Sequence, residues 1–183
     1  MKTSDVEILI VPGFGDSGPE HWQTRWERKL STARRVVQPN WHRADREQWA
    51  GAVVEAVGQA KKPVVLIAHS IAVAAVAHAA ARMPRNVAGA FLVGMSDWNR
   101  AELLPGVSHD FAPIPLDPFG FPSMLVASRN DPYCDFEVAA RHAAAWGSTL
   151  IDAGDAGHIN ADSGHGPWPE GLLTFGLLLR RLG

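Results

Sequence analysis

Cysteine is almost missing: Cys134 is the only one in 183 residues. No internal disulfide can form, and no thiolate cluster can hold a metal. Charge of one sign is missing too. Seventeen Lys and Arg face nineteen Asp and Glu, a formal net charge of -2. No basic run exists that could follow a phosphate backbone, and nothing suggests an anionic membrane. No apolar stretch reaches the length of a bilayer span. The N-terminal residues Met1 to Glu7 lack the apolar core and small-residue cleavage site of a signal peptide. Repeats and low-complexity segments are also absent. What remains is 46% hydrophobic and 20% charged, the composition of a soluble globular protein. The length suits one domain spanning residues 1–183. A cytoplasmic location is the natural expectation for such a chain.

Apolar runs and helical stripes alternate along the sequence. Val6 to Val11 reads as a first buried strand, ended by the Gly-rich loop Pro12 to Pro19. Glu20 to Leu30 reads as a helix, with Trp22, Trp26 and Leu30 on one face. Arg35 to Gln38 is a short second strand. Asp45 is placed to cap a helix running to about Ala60. Val64 starts a third strand, and an Ala-rich helix then runs to about Met83. Val87 to Val93 is a fourth strand and Ser123 to Ser128 a fifth. Phe136 to Trp146 is a helix, Ser148 to Asp152 a sixth strand, and Glu170 to Leu182 a final helix. Between Gly94 and Pro122 lies a proline-rich stretch with little periodicity, the kind that covers or forms a site. Most of these strands are apolar on both faces. That pattern predicts a parallel sheet with helices on both sides, a three-layer αβα sandwich.

Val64 to Ala75 organises the rest. A buried strand passes through Ala68-His69-Ser70-Ile71-Ala72 directly into a buried helix. The turn must be sharp, and it thrusts Ser70 out at the C-terminal edge of the sheet, as in a nucleophile elbow. The usual flanking glycines are here Ala68 and Ala72. Ser70 alone also fits a plain helix N-cap. A serine nucleophile needs a histidine base, and that histidine needs a carboxylate. On this sheet edge the expected order is Ser, acid, His. Asp131 follows the fifth strand and His158 follows the sixth. Asp135 and Asp155 are rival acids, and His165 is a rival base lying farther from the strand. His69 reads as a buried packing or hydrogen-bonding residue.

Acyl transfer also needs donors for an oxyanion. The backbone N–H of Ile71 is one candidate. The N–H of Phe14 is the other, with Gly15 second. Phosphate-binding Gly-rich patterns are absent. The eight histidines are scattered, with no His-Glu-x-x-His pair, so neither a metal nor a cofactor is expected. Trp41 and Trp98 fall in loops and, with His69, are candidates to line a pocket. The aromatic and proline content of Trp98 to Phe121 hints at an apolar acyl or aryl pocket.

Four segments carry a resemblance: Val11 to Gln23, Ala68-His69-Ser70, Ser128 to Tyr133, and Gly157-His158-Ile159-Asn160. Together they resemble the small serine hydrolases related to retinoblastoma-binding protein nine and the bacterial YdeN-type proteins. The resemblance implies a minimal α/β-hydrolase without a separate lid, with six parallel strands in the order 2-1-3-4-5-6. It also implies Ser70, Asp131 and His158 as the triad. The family usually has glycine at the position of Ala72. Its Leu-x-Cys-x-Glu motif for the retinoblastoma protein is absent here, because Pro132, Cys134 and Phe136 stand at that spacing. The expected partner is therefore a small-molecule substrate, with no nucleic acid, membrane or retinoblastoma-type partner. The leading expectation is a hydrolase of a small ester, thioester or amide. The alternative is a silent hydrolase-fold protein that binds or regulates, since fold alone does not establish function.

Overall fold

Alternation of side chains builds the two cores of the molecule. A computed structural model describes residues 1–98 and 109–183. Its strands are β1 (Glu7–Val11), β2 (Ala33–Arg35), β3 (Val64–His69), β4 (Val87–Val93), β5 (Ser123–Ala127) and β6 (Thr149–Asp152). Its helices are α1 (Trp22–Lys29), α2 (Arg46–Gln59), α3 (Ile71–Ala79), α4 (Phe136–Trp146) and α5 (Pro169–Arg181). The six strands form one sheet in the order β2-β1-β3-β4-β5-β6, and every pairing is parallel. Successive residues of a strand face opposite sides. Leu9, Leu66, Ala68, Leu92 and Leu125 therefore meet α2, α3 and α4 on one face. Ile8, Ile10, Val65, Ile67, Phe91 and Val126 meet Trp22 and Trp26 of α1 and Phe175 of α5 on the other. The expected α/β-hydrolase architecture and strand order are what the chain adopts.

Helix ends follow the sequence signals. The Asp45 side chain accepts from the Gln48 amide at 2.9 Å and starts α2. Gly147 takes the left-handed conformation, φ 69°, and ends α4, a role that favours glycine. Helix α4 and strand β4 fall on the expected residues.

Strand β2 does not. It lies two to three residues earlier than the β-branched pair Val36-Val37 suggests, at Ala33–Arg35. The edge strand takes its register from β1, pairing Ile8 with Ala33 and Ile10 with Arg35. One further bond, Val36 N–H to Ile10 carbonyl at 2.8 Å, ends the ladder. Val37 is left 71% exposed. Salt bridges decide the placement: Arg34 reaches Glu7, and Arg35 reaches Asp16 and Glu27.

Of the proline-rich stretch, residues 99–108 lie outside the described residues. The part that follows packs beside α3 and α4 rather than over Ser70. Phe111 stacks on Trp98, its carbonyl meets His78, and Phe119 stacks on Trp146. The Trp146 indole donates to the Pro115 carbonyl at 2.7 Å.

Candidate active site

Strand β3 and helix α3 meet at Ser70 with no residue to spare. Ser70 has φ 60° and ψ −130°, a conformation that costs a non-glycine residue about 1–3 kcal/mol. Its backbone is held on both sides: the Ser70 N–H donates to Val93, and the Ser70 carbonyl accepts from Val73, each at 3.0 Å. The Ser70 side chain makes no capping bond to α3, so the plain N-cap reading fails. Ala68 and Ala72 are fully buried in the core beside it. The elbow forms with alanine at both flanking positions.

The Ser70 hydroxyl goes instead to His158. Ser70 Oγ lies 3.0 Å from His158 Nε2. On the other side of the ring, His158 Nδ1 is 2.9 Å from both carboxylate oxygens of Asp131. A carboxylate only accepts, so Nδ1 carries the proton. Nε2 of the neutral ring is then an acceptor for the serine proton. All three side chains are buried, at 7 to 8% exposure. Burial matters here because charge interactions strengthen once water is excluded.

The loops that carry the acid and the histidine are tied to each other. Ser128 Oγ accepts from the Ala156 amide at 2.9 Å, and Asn130 Oδ1 accepts from the Gly157 amide at 2.7 Å. The Tyr133 amide donates to Asp131 Oδ1 at 2.9 Å, and the Tyr133 ring packs edge-on against His158, centroids 4.6 Å apart. The rivals stand elsewhere. Asp155 is exposed, and Asp135 begins α4. His165 bonds Ser163 and packs on Trp168.

The two backbone amides expected as oxyanion donors belong to Ile71 and Phe14. Ile71 is the first residue of α3, where the helix offers its N–H no acceptor. The Phe14 N–H has no acceptor among the described residues. The Gly15 N–H is already spent on the Trp41 carbonyl at 2.8 Å, which favours Phe14 over Gly15. The loop bearing Phe14 approaches Ser70 closely. A Cβ at Gly13 would come within 2.9 Å of the Ser70 Cβ and 3.1 Å of the His69 carbonyl. This loop is anchored by Gln23, which is fully buried. Its amide donates to Val11 and Ile67, and its carbonyl accepts from Ser17 Oγ at 2.6 Å.

A cavity of about 190 Å³ opens at Ser70, bounded by Phe14, His21, His69, Tyr133, His158 and Asn160. That is below the usual size of a drug-like site. Trp41 and Trp98, expected to line a pocket, do not line this one. Trp41 packs edge-on against Trp49 in the α2 core. Trp98 is 5% exposed, stacks on Phe111, and borders a separate cavity with Ile114 and Leu116. Trp98 and the described residues that follow it, 109–121, thus shape a different surface, and the cavity at Ser70 mixes polar and apolar groups.

Two histidines beside the site are neutral at neutral pH. Burial, followed by the nearby His158 and Arg35, lowers His21 to about 4. Burial, followed by His158 and His21, holds His69 well below the usual histidine range. The rings pack in sequence, His21 edge-on to His69 at 4.9 Å and His69 tilted against His158 at 4.8 Å. Cys134 is no rival nucleophile. Burial, with Asp131 next in effect, pushes its thiol up to about 12.

Sequence reasoning missed three neighbours of Ser70, Asp131 and His158. Ser96, 1% exposed, has its hydroxyl 3.3 Å from Ser70 Oγ, long for such a bond. Gly94 has φ 54°, and a Cβ there would crowd the His158 carbonyl at 3.1 Å. His21 was read only as part of a resemblance. A glycine directly after β4 is the one signal that pointed to this region.

Residues 8–176 match the family described as serine hydrolase. None of the curated proteins matches the chain. Among solved structures, a protein of Pectobacterium atrosepticum described as a YdeN-like hydrolase is 36% identical, with a TM-score of 0.87 over 98% of this chain and 94% of that one. The ydeN gene product of B. subtilis is 18% identical, with a TM-score of 0.78 over 94% of this chain and 98% of that one. An esterase domain from a Rhodothermus marinus protein is 19% identical, with a TM-score of 0.72 over 96% of this chain and 87% of that one. The last two are likenesses of fold.

Proposed function

The chain belongs to the serine hydrolase family, and from that premise we propose that it cleaves a small ester, thioester or amide through an acyl-enzyme on Ser70. The observation that carries this reading is the continuous chain Ser70 Oγ to His158 Nε2 to Asp131 at 3.0 and 2.9 Å.

The steps follow from that geometry. Ser70 Oγ attacks the substrate carbonyl carbon as His158 Nε2 takes the hydroxyl proton. Asp131 holds Nδ1–H and stabilises the imidazolium that forms. The carbonyl oxygen becomes an oxyanion, held by the Phe14 and Ile71 amides. The tetrahedral species collapses, and His158 Nε2–H gives its proton to the departing oxygen, sulfur or nitrogen. Water then attacks the acyl-enzyme, His158 Nε2 takes a proton from it, and a second collapse returns Ser70 with its hydroxyl and releases the acid. Ser96 sits too far for a strong bond, so it contributes little beyond orienting the resting hydroxyl.

The alternative, a silent binding module, rested on alanines in the elbow and on a long segment that would cover the site. Ala68 and Ala72 fit without displacing Ser70 from His158, and residues 109–122 pack away from the cavity. The small cavity suits a small substrate, and a single, buried, free cysteine fits a reducing compartment such as the cytoplasm.

Labelling with a fluorophosphonate probe tests the reading. Wild type is expected to label and Ser70→Ala to remain unlabelled. Equal labelling of both, or none of a folded wild type, would overturn it.

A further inference from the structure

The histidine loop is strained on both sides of His158. Gly157 has φ 57° and Ile159 has φ 49°. A left-handed conformation is a true outlier for a β-branched residue such as isoleucine. It persists only where surroundings over-determine it. Here two consecutive carbonyls of the loop are each taken by a ring N–H from another part of the chain. The His158 carbonyl lies 2.9 Å from His69 Nε2. The Ile159 carbonyl lies 2.8 Å from Trp22 Nε1. A carbonyl cannot donate, so His69 carries its proton on Nε2. His69 is 4% exposed, and Trp22 and Ile159 are fully buried. His69 directly precedes Ser70 on β3, so the residue that ends the nucleophile strand also grips the base loop. Behind the grip lies Gly94, where a Cβ would fall 3.1 Å from the His158 carbonyl and 3.5 Å from His69 Nε2. No room remains for a wider approach.

We propose that His69 and Trp22 are positioning residues, a two-point clamp that holds the backbone at His158 so that Nε2 stays within bonding distance of Ser70 Oγ. The clamp rests on the triad reading given above. It acts through the His158 backbone: His69 borders the cavity, but its Nε2 is bonded to the His158 carbonyl rather than to Ser70 Oγ or His158 Nε2. Burial keeps His69 neutral, so its single ring proton stays available to the carbonyl across the working pH range. Because the donor ends β3 and the nucleophile is the next residue, a shift of β3 carries both together, and the Ser70–His158 distance is preserved.

The test compares near-isosteric side chains. His69→Met fills the space without a donor, whereas His69→Gln returns an N–H near the Nε2 position. Steady-state hydrolysis of a p-nitrophenyl ester and fluorophosphonate labelling rates are measured on both, with thermal melts to show folding. A misplacement of about 1 Å costs on the order of a hundredfold in rate. We expect His69→Met to lose tenfold to a hundredfold in kcat with KM little changed, and His69→Gln to recover to within about threefold of wild type. Trp22→Phe removes the other donor and is expected to lower kcat in the same way, which keeps the test open if His69→Met does not fold. Equal activity of folded His69→Met and His69→Gln would overturn the clamp. So would kcat within threefold of wild type in Trp22→Phe. Failure of the underlying triad reading looks different: wild type itself would not label, or Ser70→Ala would label equally.

Discussion

Adding one methyl group at Gly13 should cripple the enzyme while leaving it folded. Carbon atoms in contact settle at about 3.5–4.0 Å. A Cβ on residue 13 would stand 2.9 Å from the Ser70 Cβ, so about 0.6–1.1 Å must be found. The neighbouring His69 carbonyl, 3.1 Å from the same Cβ, adds to the crowding. Relief must come from moving Ser70 or from lifting the loop that carries the Phe14 amide. An oxyanion donor works at 2.7–3.1 Å, and losing one costs about a hundredfold to a thousandfold in kcat. Gly13→Ala is therefore expected to lose about a hundredfold in kcat, with a stability loss of about 1–3 kcal/mol. Gly18 is the internal control, in the same loop with nothing within 4 Å of its would-be Cβ. Ester hydrolysis and thermal melts on both variants check this. If folded Gly13→Ala stays within threefold of wild type, the close approach of this loop to Ser70 does not govern the oxyanion site.

Acid should weaken the fold through His21, whose side chain is neutral in the folded state down to about 4. The unfolded chain takes up that proton below about 6.5. The stability is therefore whole above pH 6.5, declines as pH falls, and is fully lost near pH 4. Between pH 7 and pH 5 this amounts to about 2 kcal/mol from His21 alone, with His69 adding in the same direction. Urea unfolding at the two pH values should show the decline, and His21→Asn, which keeps an N-cap residue on α1, should show less of it. An unchanged midpoint difference in the variant would refute the assignment. In α5, Gly171→Ala would set a Cβ 2.2 Å from the Trp168 ring, and a loss of about 3 kcal/mol is expected. Gly176→Ala in the same helix meets nothing within 4 Å and should stabilise by about 0.5–1 kcal/mol; denaturant midpoints decide both. Cys134, with its thiol near 12, should resist iodoacetamide at pH 8 in the native protein and react at once in denaturant. Rapid alkylation of the folded protein would contradict its burial.

How much of this was legible in the residues varies with the range of the interaction that fixes it. The elbow at Ser70 is local: an apolar strand abutting an Ala-rich helix leaves one place for the turn. β4 and α4 were readable for the same reason, because their patterns are bounded by Pro84 and Gly94 and by Asp135 and Gly147. β2 was misread because its position depends on β1 and on Arg34 and Arg35 finding Glu7, Asp16 and Glu27, none of which is a local signal. The order Ser70, Asp131, His158 followed from topology, since each lies after a strand on one sheet edge. His69 was read as a hydrogen-bonding residue, but its partner 89 positions away was not readable. Ser96 was invisible, and Gly94 showed only as a glycine directly after β4. Their importance lies only in what the folded chain brings against them. Trp98 and the aromatic residues of 109–121 misled, because loop composition does not say which cavity a loop borders.

The central claim is that Ser70 carries the acyl group. Wild-type protein mixed with a p-nitrophenyl ester, quenched in acid during turnover and digested, should yield one acyl adduct on the peptide containing Ser70, and Ser70→Ala should yield neither adduct nor turnover. Turnover that persists in folded Ser70→Ala, or an adduct on another residue, would contradict the account.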